Sequence, residues 1–282
     1  MLLGKKRKMK KILLGLSILI VISCGNGNSK SSETLDSAES KFQWDFSKQR
    51  KFIYTFSQTV NGENKMDRDR PAVKIYMSGV GYLNVRVKEN NLADLSLTDI
   101  EMKMVNYDQE GSPRDTITQE APPNVVQDMK PNGSFGDPNT DILFDMLFPL
   151  PNKNLEKGDS EEIQMQMPFN ANGSRLFAKG QNTLTFKGYE EIEGRNCAVL
   201  NGVINISQLD IPEELNGKYG CSTTGNATYY FDLKNGIYVG SDIHMVMDVI
   251  GDSESKNEGD FGMYMKIKSD NVYKIRLEKI EE

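Results

Sequence analysis

The strongest constraint on the fold is an almost unbroken alternation of apolar and polar residues between Ala72 and Lys88. A repeat of two residues is the signature of a β-strand that has one buried face and one face in water. Gly79 and Gly81 fall on the apolar side in the middle of this segment, which indicates a bend or a bulge in a long strand. The rest of the apolar side consists of Val73, Ile75, Met77, Leu83, Val85 and Val87.

The same alternation recurs through most of the chain, and turn residues separate the runs. The Asn-Gly pair at 235–236 lies between two alternating runs and is the strongest short-range signal for a β-hairpin. The Glu-Gly pair at 193–194 predicts a second hairpin, and Ser269–Asn271 is predicted to join the last two strands. Residues 181–280 are therefore expected to form about six antiparallel strands, a meander.

A predicted helix and a long connection interrupt the strands. Residues 140–148 combine a capping threonine, an acidic first turn and apolar residues at helical spacing, and they end before Pro149. Residues 108–139 are rich in proline and show little periodicity. We therefore predict an all-β fold with minor α content: a long, curved antiparallel sheet or incomplete barrel with one short helix packed on it.

This architecture divides the body of the chain into three parts. We expect a sheet half at about 50–107, a helix-containing crossover at 108–158 and an antiparallel meander at 159–282. The sequence leaves open whether the two halves merge into one sheet, and whether they form one domain or two.

The first residues of the chain have the order of a secretory signal. Six basic residues precede an apolar run from Ile12 to Ile22, and Ser23 and Cys24 follow. A membrane-spanning helix needs about 20 apolar residues, and this run is much shorter. We predict a signal peptide at 1–23, cut before Cys24. An ordinary signal cut at another position is the alternative, although a small-residue pair of the Ala-x-Ala kind is missing.

The segment after Cys24 has the composition of a linker. Residues 25–41 are rich in Ser, Gly, Asn and charged residues, so they cannot bury enough apolar surface to fold. We expect residues 24–41 to form a flexible tether with a reach of roughly 23 Å. The β-rich body would then occupy residues 42–282.

Net charge limits the class of partner. The chain has 34 basic and 40 acidic residues, and residues 1–23 contain six of the basic ones and no acidic one, which leaves 28 against 40, a formal charge of −12. Nucleic acid is not an expected partner, because phosphate binding needs clustered Lys and Arg. Docking on anionic lipid through a polybasic face is not expected either. The charge is expected to keep the protein soluble.

The cysteines support a limited set of roles. Cys24 is followed by only two others, Cys197 and Cys221, an even pair in a compartment that permits disulfides. The sequence leaves open whether these two form a disulfide or are unrelated thiols. No Cys-x-x-Cys motif is present, so zinc and redox roles have no support.

Catalytic signals are weak throughout the sequence. His244 is the chain's one histidine, and the alternation places it on the polar side of its strand. No Gly-x-Ser-x-Gly or comparable nucleophile motif is present. The acidic residues of the stretch 252–260 lack the spacing of a calcium loop. We therefore expect a protein that is not an enzyme and that uses no cofactor or metal, although paired carboxylates of a hydrolase would depend on spatial rather than sequence spacing.

Methionine is unusually frequent, with 14 residues, many of them on predicted buried faces. Its unbranched, polarisable side chain suits an irregular or adaptable apolar surface. This fits a hydrophobic ligand-binding hollow, but it also fits ordinary packing beneath a curved sheet.

The motif Val21-Ile22-Ser23-Cys24 resembles the lipobox of bacterial lipoproteins. The resemblance implies that Cys24 carries acyl chains and anchors the protein to a membrane. Gly25 differs from the Asp that retains lipoproteins at an inner membrane in that family, which implies the outer membrane, on its periplasmic face or at the cell surface. Fatty chains contribute about 0.8 kcal/mol per buried methylene, so two or three chains hold a protein stably on a bilayer.

The body also resembles a group of bacterial envelope lipoproteins, through the phrases at 148–151, 158–159, 229–232 and 235–236. Their fold is similar to that of lipoprotein carriers of the LolA/LolB type, an incomplete barrel of long antiparallel strands with helices on the concave side. The resemblance implies a fold and an apolar hollow, and it supplies no catalytic residue.

Two triplets, at 36–38 and 115–117, resemble the acceptor pattern for O-glycosylation in one phylum of bacteria, which makes Ser37 and Thr116 candidate sites in exposed loop or linker.

The sequence as a whole supports three functional hypotheses. The first is a carrier that holds a lipid or other apolar molecule in a concave sheet, and the alternative is an accessory subunit that contacts other envelope proteins. A hydrolase with an unrecognised site ranks last.

Overall fold

A computed structural model of the chain describes residues 42–135, 146–171, 174–211, 217–252 and 264–282. The predicted signal peptide and tether lie outside these residues, and the side chains of 167–171 and 174–175 are also not described. All described residues belong to one compact unit, Leu35–Glu282. None of the helices among them is long and apolar enough to cross a membrane.

The described part of the chain forms one antiparallel sheet of 11 strands. Its order is β4-β3-β2-β1-β11-β10-β9-β8-β7-β6, with β5 paired to β3, so the sheet is open rather than closed into a barrel. The predicted all-β fold is confirmed. The strands are β1 (Lys51–Lys65), β2 (Val73–Val87), β3 (Ala93–Tyr107), β4 (Pro113–Glu120), β5 (Asn124–Met129), β6 (Ser160–Ala171), β7 (Ser174–Ile192), β8 (Arg195–Asp210), β9 (Lys218–Asp232), β10 (Ile237–Asp252) and β11 (Tyr264–Glu281).

The first and last strands join the two predicted halves. β1 pairs with β11 from Lys51↔Glu281 to Lys65↔Lys266. The N-terminal strands and the C-terminal meander therefore belong to a single sheet, which the sequence alone left open. A pairing between the ends of the chain is non-local, so no local pattern could have shown it.

Gly81 produces the predicted irregularity in β2. The register between β2 and β3 shifts between Val80 and Tyr82. A Cβ on Gly81 would lie 2.9 Å from the Cα of Ile100 and 2.9 Å from the carbonyl oxygen of Thr98. The bulge therefore requires a residue without a side chain at this position.

Both predicted hairpins are present. Glu193 (φ 53°) and Gly194 (φ 75°) form the two-residue turn between β7 and β8, where positive φ at both positions matches the twist of the strands. The turn between β9 and β10 is longer than the Asn-Gly pair alone and spans residues 233–236. Gly236 (φ 60°) ends it in the left-handed region.

Three details of the sequence prediction are wrong. Ser269–Asn271 is not a turn, because β11 continues through it and the buried side chains of Ser269 and Asn271 hydrogen bond to each other. Residues 181–280 therefore lie in five strands, β7 to β11, instead of about six. The crossover is also not free of strands, since β4 and β5 lie within it.

The predicted helix falls largely outside the described residues. Residues 140–145 are not described, and Met146 and Leu147 are helical. Residues 146–155 then pack on the buried face of the sheet with Phe148, Leu150 and Leu155. This face, which carries the main apolar core, is called the inner face below.

Candidate functional site

One end of the inner face is filled by aromatic side chains. The segment before β1 crosses this end, and alternate residues Phe42, Trp44 and Phe46 point into the core. Trp44 stacks on Tyr238 at 5.8 Å between ring centroids and meets Phe148 edge-on at 5.9 Å. We call this region the aromatic end; it consists of Phe42, Trp44, Phe46, Phe52, Tyr54, Phe148, Tyr229, Phe231 and Tyr238.

Buried hydroxyl groups lock the aromatic end to the chain that covers it. Tyr238 donates to the carbonyl of Leu147 at 2.7 Å, and Tyr229 donates to that of Met146 at 3.3 Å. Tyr54 donates to the carbonyl of Tyr238 at 2.8 Å. Burial raises the pKa of Tyr54 and Tyr238 well above the ordinary value, so both remain neutral donors. This end of the inner face is a closed core.

The other end of the inner face carries methionine. Three of these side chains stand in register with glycine on a neighbouring strand, in the pairs Met102↔Gly79, Met165↔Gly180 and Met245↔Gly225. A Cβ on Gly225 would lie 2.8 Å from Cγ of Met245, so the thioether chain lies over the glycine. We call this region the methionine end; it consists of Met102, Met165, Met245, Met247 and Met265.

Three side chains of the methionine end are buried, Met102 and Met247 are partly buried, and few polar contacts are described there. Met165, Met245 and Met265 are 5%, 5% and 6% exposed. Asn271 donates to the carbonyl of Met245 at 3.3 Å and to the hydroxyl of Ser269 at 2.9 Å. Flexible thioethers can take several rotamers in the same space. This surface can adapt its shape where the aromatic end cannot.

A cleft of about 560 Å³ opens at the rim of the aromatic end. We call it the rim cleft. Its walls come from the segment before β1, the start of β8 and the turn between β9 and β10. It is lined by Gln43, Trp44, Asp45, Lys48, Arg50, Arg195, Leu233, Lys234, Asn235, Gly236 and Ile237.

Backbone contacts set the shape of the rim cleft. The amide of Asp45 donates to the carbonyl of Gly236 at 2.8 Å. A Cβ on Gly236 would lie 2.6 Å from the Asp45 nitrogen, so the turn and the segment can approach only because residue 236 is glycine. Asp232 accepts hydrogen bonds from the Asn235 amide at 3.2 Å and from its side chain at 2.6 Å, which holds the same turn.

Two arginines stand in the walls of the rim cleft. Arg50 donates to the carboxylate of Asp45 at 2.7 Å and to its carbonyl at 2.8 Å. Hydrogen bonds from Ser47, together with the Arg50 charge, lower the pKa of the Asp45 carboxyl. Nη1 of Arg195 lies 3.6 Å from Oδ2 of the buried Asp232. Both guanidinium groups are thus positioned by carboxylates.

The predicted modification sites are placed only in part. Cys24 and Ser37 lie outside the described residues, so lipidation and glycosylation there stay predictions. Thr116 was predicted to lie in a loop, and this is wrong: it lies in the edge strand β4, opposite Val105. Its side chain is exposed, and its glycosylation also stays a prediction.

The structure does not bring the two remaining cysteines together. Both are buried free thiols. Cys197 precedes Ala198, which pairs with Phe231, whereas Cys221 precedes Thr223, which pairs with Ile206. The intervening residues separate the thiols by roughly 35 Å along the strands. A disulfide needs Cα atoms within about 7 Å, so this fold excludes a bond between Cys197 and Cys221.

His244 lies where the alternation placed it, on the outer face of β10. Its Nε2 lies 2.8 Å from Oδ1 of Asp270 on β11, and both side chains are about half exposed. No nucleophile is among the contacts described for this pair. The geometry is that of a surface pair.

Sequence reasoning missed the rim cleft. Its basic residues come from three separate segments, and only the Asn-Gly pair at 235–236 had been singled out, as a turn. The charge of the whole chain pointed away from an anion site. The one local signal is the pair Lys48 and Arg50 directly after the aromatic run that ends at Phe46.

Comparisons with known proteins give only remote similarities. No protein-family model and no curated protein matches the sequence. Lipovitellin, in a structure concerned with its lipid–protein interactions, is 12% identical with a TM-score of 0.45, over 84% of this chain. The match spans only 26% of the lipovitellin chain.

Two bacterial structures are also similar. A DUF1329 family protein from Desulfovibrio piger is 9% identical with a TM-score of 0.15, over 84% of this chain and 87% of its own. An outer membrane lipoprotein-sorting protein domain from Vibrio parahaemolyticus is 9% identical with a TM-score of 0.13, over 80% and 84%. All three TM-scores are below 0.5, and no functional conclusion follows from these likenesses.

Proposed function

We propose that this protein is a non-enzymatic envelope lipoprotein that binds an apolar molecule at the methionine end of its inner face. The observation that carries the proposal is the set of methionines in register with glycines, Met102, Met165 and Met245. At Gly225 the flexible side chain of Met245 takes part of the space that another side chain would fill. An acyl chain could take this space if the thioethers change rotamer.

The contrast with the aromatic end supports this location. There the inner face is occupied by the chain itself, through Trp44 and Phe148, and is tied by tyrosine hydroxyl groups. A ligand would have to break those hydrogen bonds to enter. At the methionine end it would displace mainly dispersion contacts, which are individually weak.

The ligand proposal is tested on the full chain, extracted from membranes in a neutral detergent. Native mass spectrometry should find an apolar adduct, of acyl-chain mass, on the wild-type protein. The triple variant with Met165→Leu, Met245→Leu and Met265→Leu keeps the core volume and should lose most of it. Met66→Leu, at a position 47% exposed and outside the methionine end, is the matched control. Equal occupancy in all three proteins, or none in any, would contradict binding at this site.

We further propose that Cys24 is the membrane anchor and that the outer membrane is the destination. The support is the sequence motif, with its basic residues, short apolar run and cysteine. Radiolabelled palmitate should be incorporated by the wild-type protein in its native host and not by Cys24→Ser. The variant should also leave the membrane fraction. Retention of the variant on membranes would remove this part of the proposal.

An accessory role in an envelope protein complex is the second candidate. Its support is a pair of exposed apolar side chains on the outer face of β2, Val80 (60%) and Tyr82 (42%). Such a small patch is common on monomers, which is why this role ranks second. A photo-crosslinking residue at position 82, used in the native host, should capture a discrete partner if the role is correct, whereas the same residue at position 203 should not.

A further inference from the structure

We propose that the rim cleft binds a phosphate-type anion, either free phosphate or the phosphodiester of a lipid headgroup. The cleft brings together two arginines and two lysines from three segments of the chain that are far apart in sequence. Binding there is separate from the proposed apolar site, which lies at the other end of the inner face.

The charge of the rim cleft is opposite to that of the protein as a whole. Lys48, Arg50, Arg195 and Lys234 line it, and Asp45 is the one carboxylate among the lining residues. The chain has 40 acidic and 34 basic residues, so four cations beside two carboxylates, Asp45 in the lining and Asp232 paired with Arg195, reverse the overall charge locally. A concave site lined by one sign of charge concentrates ions of the other sign.

Arg50 has an N–H group that is positioned to donate a hydrogen bond to an anion. Its side chain is only 11% exposed, and Asp45 engages it through Nη2. Its Nε is buried and has no hydrogen-bond partner among the described residues. Guanidinium N–H groups form a rigid planar fork that matches phosphate oxygens. A bound anion would accept from the N–H that Asp45 leaves unused.

Trp44 offers a second donor without an acceptor. The indole is 3% exposed and forms part of the cleft wall, and its buried Nε1 has no hydrogen-bond partner in the part of the chain that the structure describes. Buried polar groups of this kind are rare and are often explained by an ion or water that completes them. Two such donors beside one basic cleft point to an acceptor-rich ligand.

The two lysines of the rim cleft are available, whereas Arg195 is positioned by its ion pair with the buried Asp232, at 3.6 Å. Lys48 and Lys234 are exposed. Neither lysine forms a salt bridge within the described part of the chain. These side chains can therefore turn toward an anion.

The position of the cleft makes a headgroup a realistic source. Gln43 in its wall follows Cys24 by only nineteen residues. The anchor proposed above would hold the cleft near the membrane surface, since the expected tether has a root-mean-square length of roughly 23 Å. Free phosphate remains the other source, and the two are separated by experiment.

Binding can be measured by tryptophan fluorescence, because Trp44 is the chain's single tryptophan. Its fluorescence is followed in the full chain, in neutral detergent, as inorganic phosphate replaces sodium chloride at constant ionic strength. A second titration uses mixed micelles containing phosphatidylglycerol, with phosphatidylcholine as the zwitterionic counterpart. A saturable change is expected with phosphate, with phosphatidylglycerol, or with both, and this result identifies the source.

The variant Lys48→Gln with Lys234→Gln removes two cleft cations. Its dissociation constant for the binding anion should rise roughly tenfold or more, because hydrogen bonds to charged groups contribute strongly. The matched control, Lys103→Gln with Lys274→Gln, removes the same charge from exposed positions elsewhere and should bind as the wild type does. Circular dichroism and thermal unfolding check that both variants are folded.

Two results would overturn the anion site. One is a fluorescence change that sodium chloride, or phosphatidylcholine micelles, reproduce in full. The other is equal affinity in the cleft variant and the control variant. Neither result depends on the apolar adduct sought at the methionine end, so the two proposals fail independently.

Discussion

The aromatic end and the methionine end lie on the inner face of the same sheet and share strand β10, yet they are built from different side chains. At the aromatic end rigid rings meet at 4.8–6.5 Å between centroids, and tyrosine hydroxyl groups tie the strands to the covering chain. At the methionine end flexible thioethers lie opposite glycines. One sheet can therefore combine a rigid core with an adaptable surface. Aromatic rings pack in a few preferred arrangements, whereas flexible thioethers fill irregular space.

The sharpest test of this comparison is Trp44→Ala. We expect it to lower the free energy of unfolding by about 3–5 kcal/mol, because it leaves a large cavity among six aromatic neighbours. Denaturant unfolding, followed by circular dichroism, measures the change. Val203→Ala, on a side chain 56% exposed, is the control and should cost under about 0.5 kcal/mol. Similar costs for both would show that the aromatic end is not the main core.

Tyr238→Phe isolates the hydrogen bond from the ring. The variant keeps the stacking on Trp44 but removes the donor to the Leu147 carbonyl. A buried carbonyl would then lack its partner, so we expect a loss of about 1–3 kcal/mol. Tyr82→Phe, on an exposed tyrosine, should unfold at the wild-type denaturant concentration. An unchanged midpoint for Tyr238→Phe would mean that packing alone closes this end.

Met245→Leu should have a smaller effect at the methionine end. The two side chains are similar in volume, and a flexible neighbourhood can repack, so we expect a cost below about 1.5 kcal/mol. The same unfolding experiment measures it. If this conservative change costs as much as Trp44→Ala, the methionine end is as rigid as the aromatic end and the comparison fails.

The alkylation rates of the two buried thiols allow the two ends to be compared in the wild-type protein. Cys197 lies next to Ala198 and Phe231 at the aromatic end, and Cys221 lies opposite Val249, toward the methionine end. Burial raises the pKa of Cys197 from 9.0 to about 11 and also raises that of Cys221. Since the thiolate reacts, both should be alkylated slowly at pH 8, with Cys221 the faster because an adaptable region opens more readily.

Alkylation of Cys197 should become faster as the pH rises. The neutral Cys197 thiol is favoured in the folded state, so its contribution to stability is present below pH 9.0 and is lost as the pH rises toward about 11. Mass spectrometry of alkylated peptides, taken at intervals from pH 8 to pH 11, follows both sites. Equal labelling rates at pH 8 would count against any difference in opening between the two ends.

Much of the fold could be predicted because strand signals are local. The bulge at Gly81 and the two-residue turn at 193–194 followed from glycine and from side-chain alternation. The errors also have a local cause. Ser269, Asp270 and Asn271 are typical turn residues, yet two of them satisfy their polar groups inside β11, and a propensity cannot anticipate such partners.

The candidate sites were less predictable than the strands. Methionine on buried faces was visible in the sequence, but its register with Gly180 and Gly225 depends on strand pairing. The rim cleft depends on three segments that meet only after folding. The sequence also left open a disulfide between Cys197 and Cys221, since an even number of cysteines contains no information about distance.

By itself the sequence determined which side chains face the core, where several turns fall and which residue is the candidate for acylation, because each depends on neighbouring residues alone. Only the tertiary structure decided that the first and last strands join the halves into one open sheet. It also decided that cations of an acidic chain gather beside Trp44. Both outcomes arise from contacts between residues far apart in the sequence, and alternation of side chains specifies faces without specifying partners.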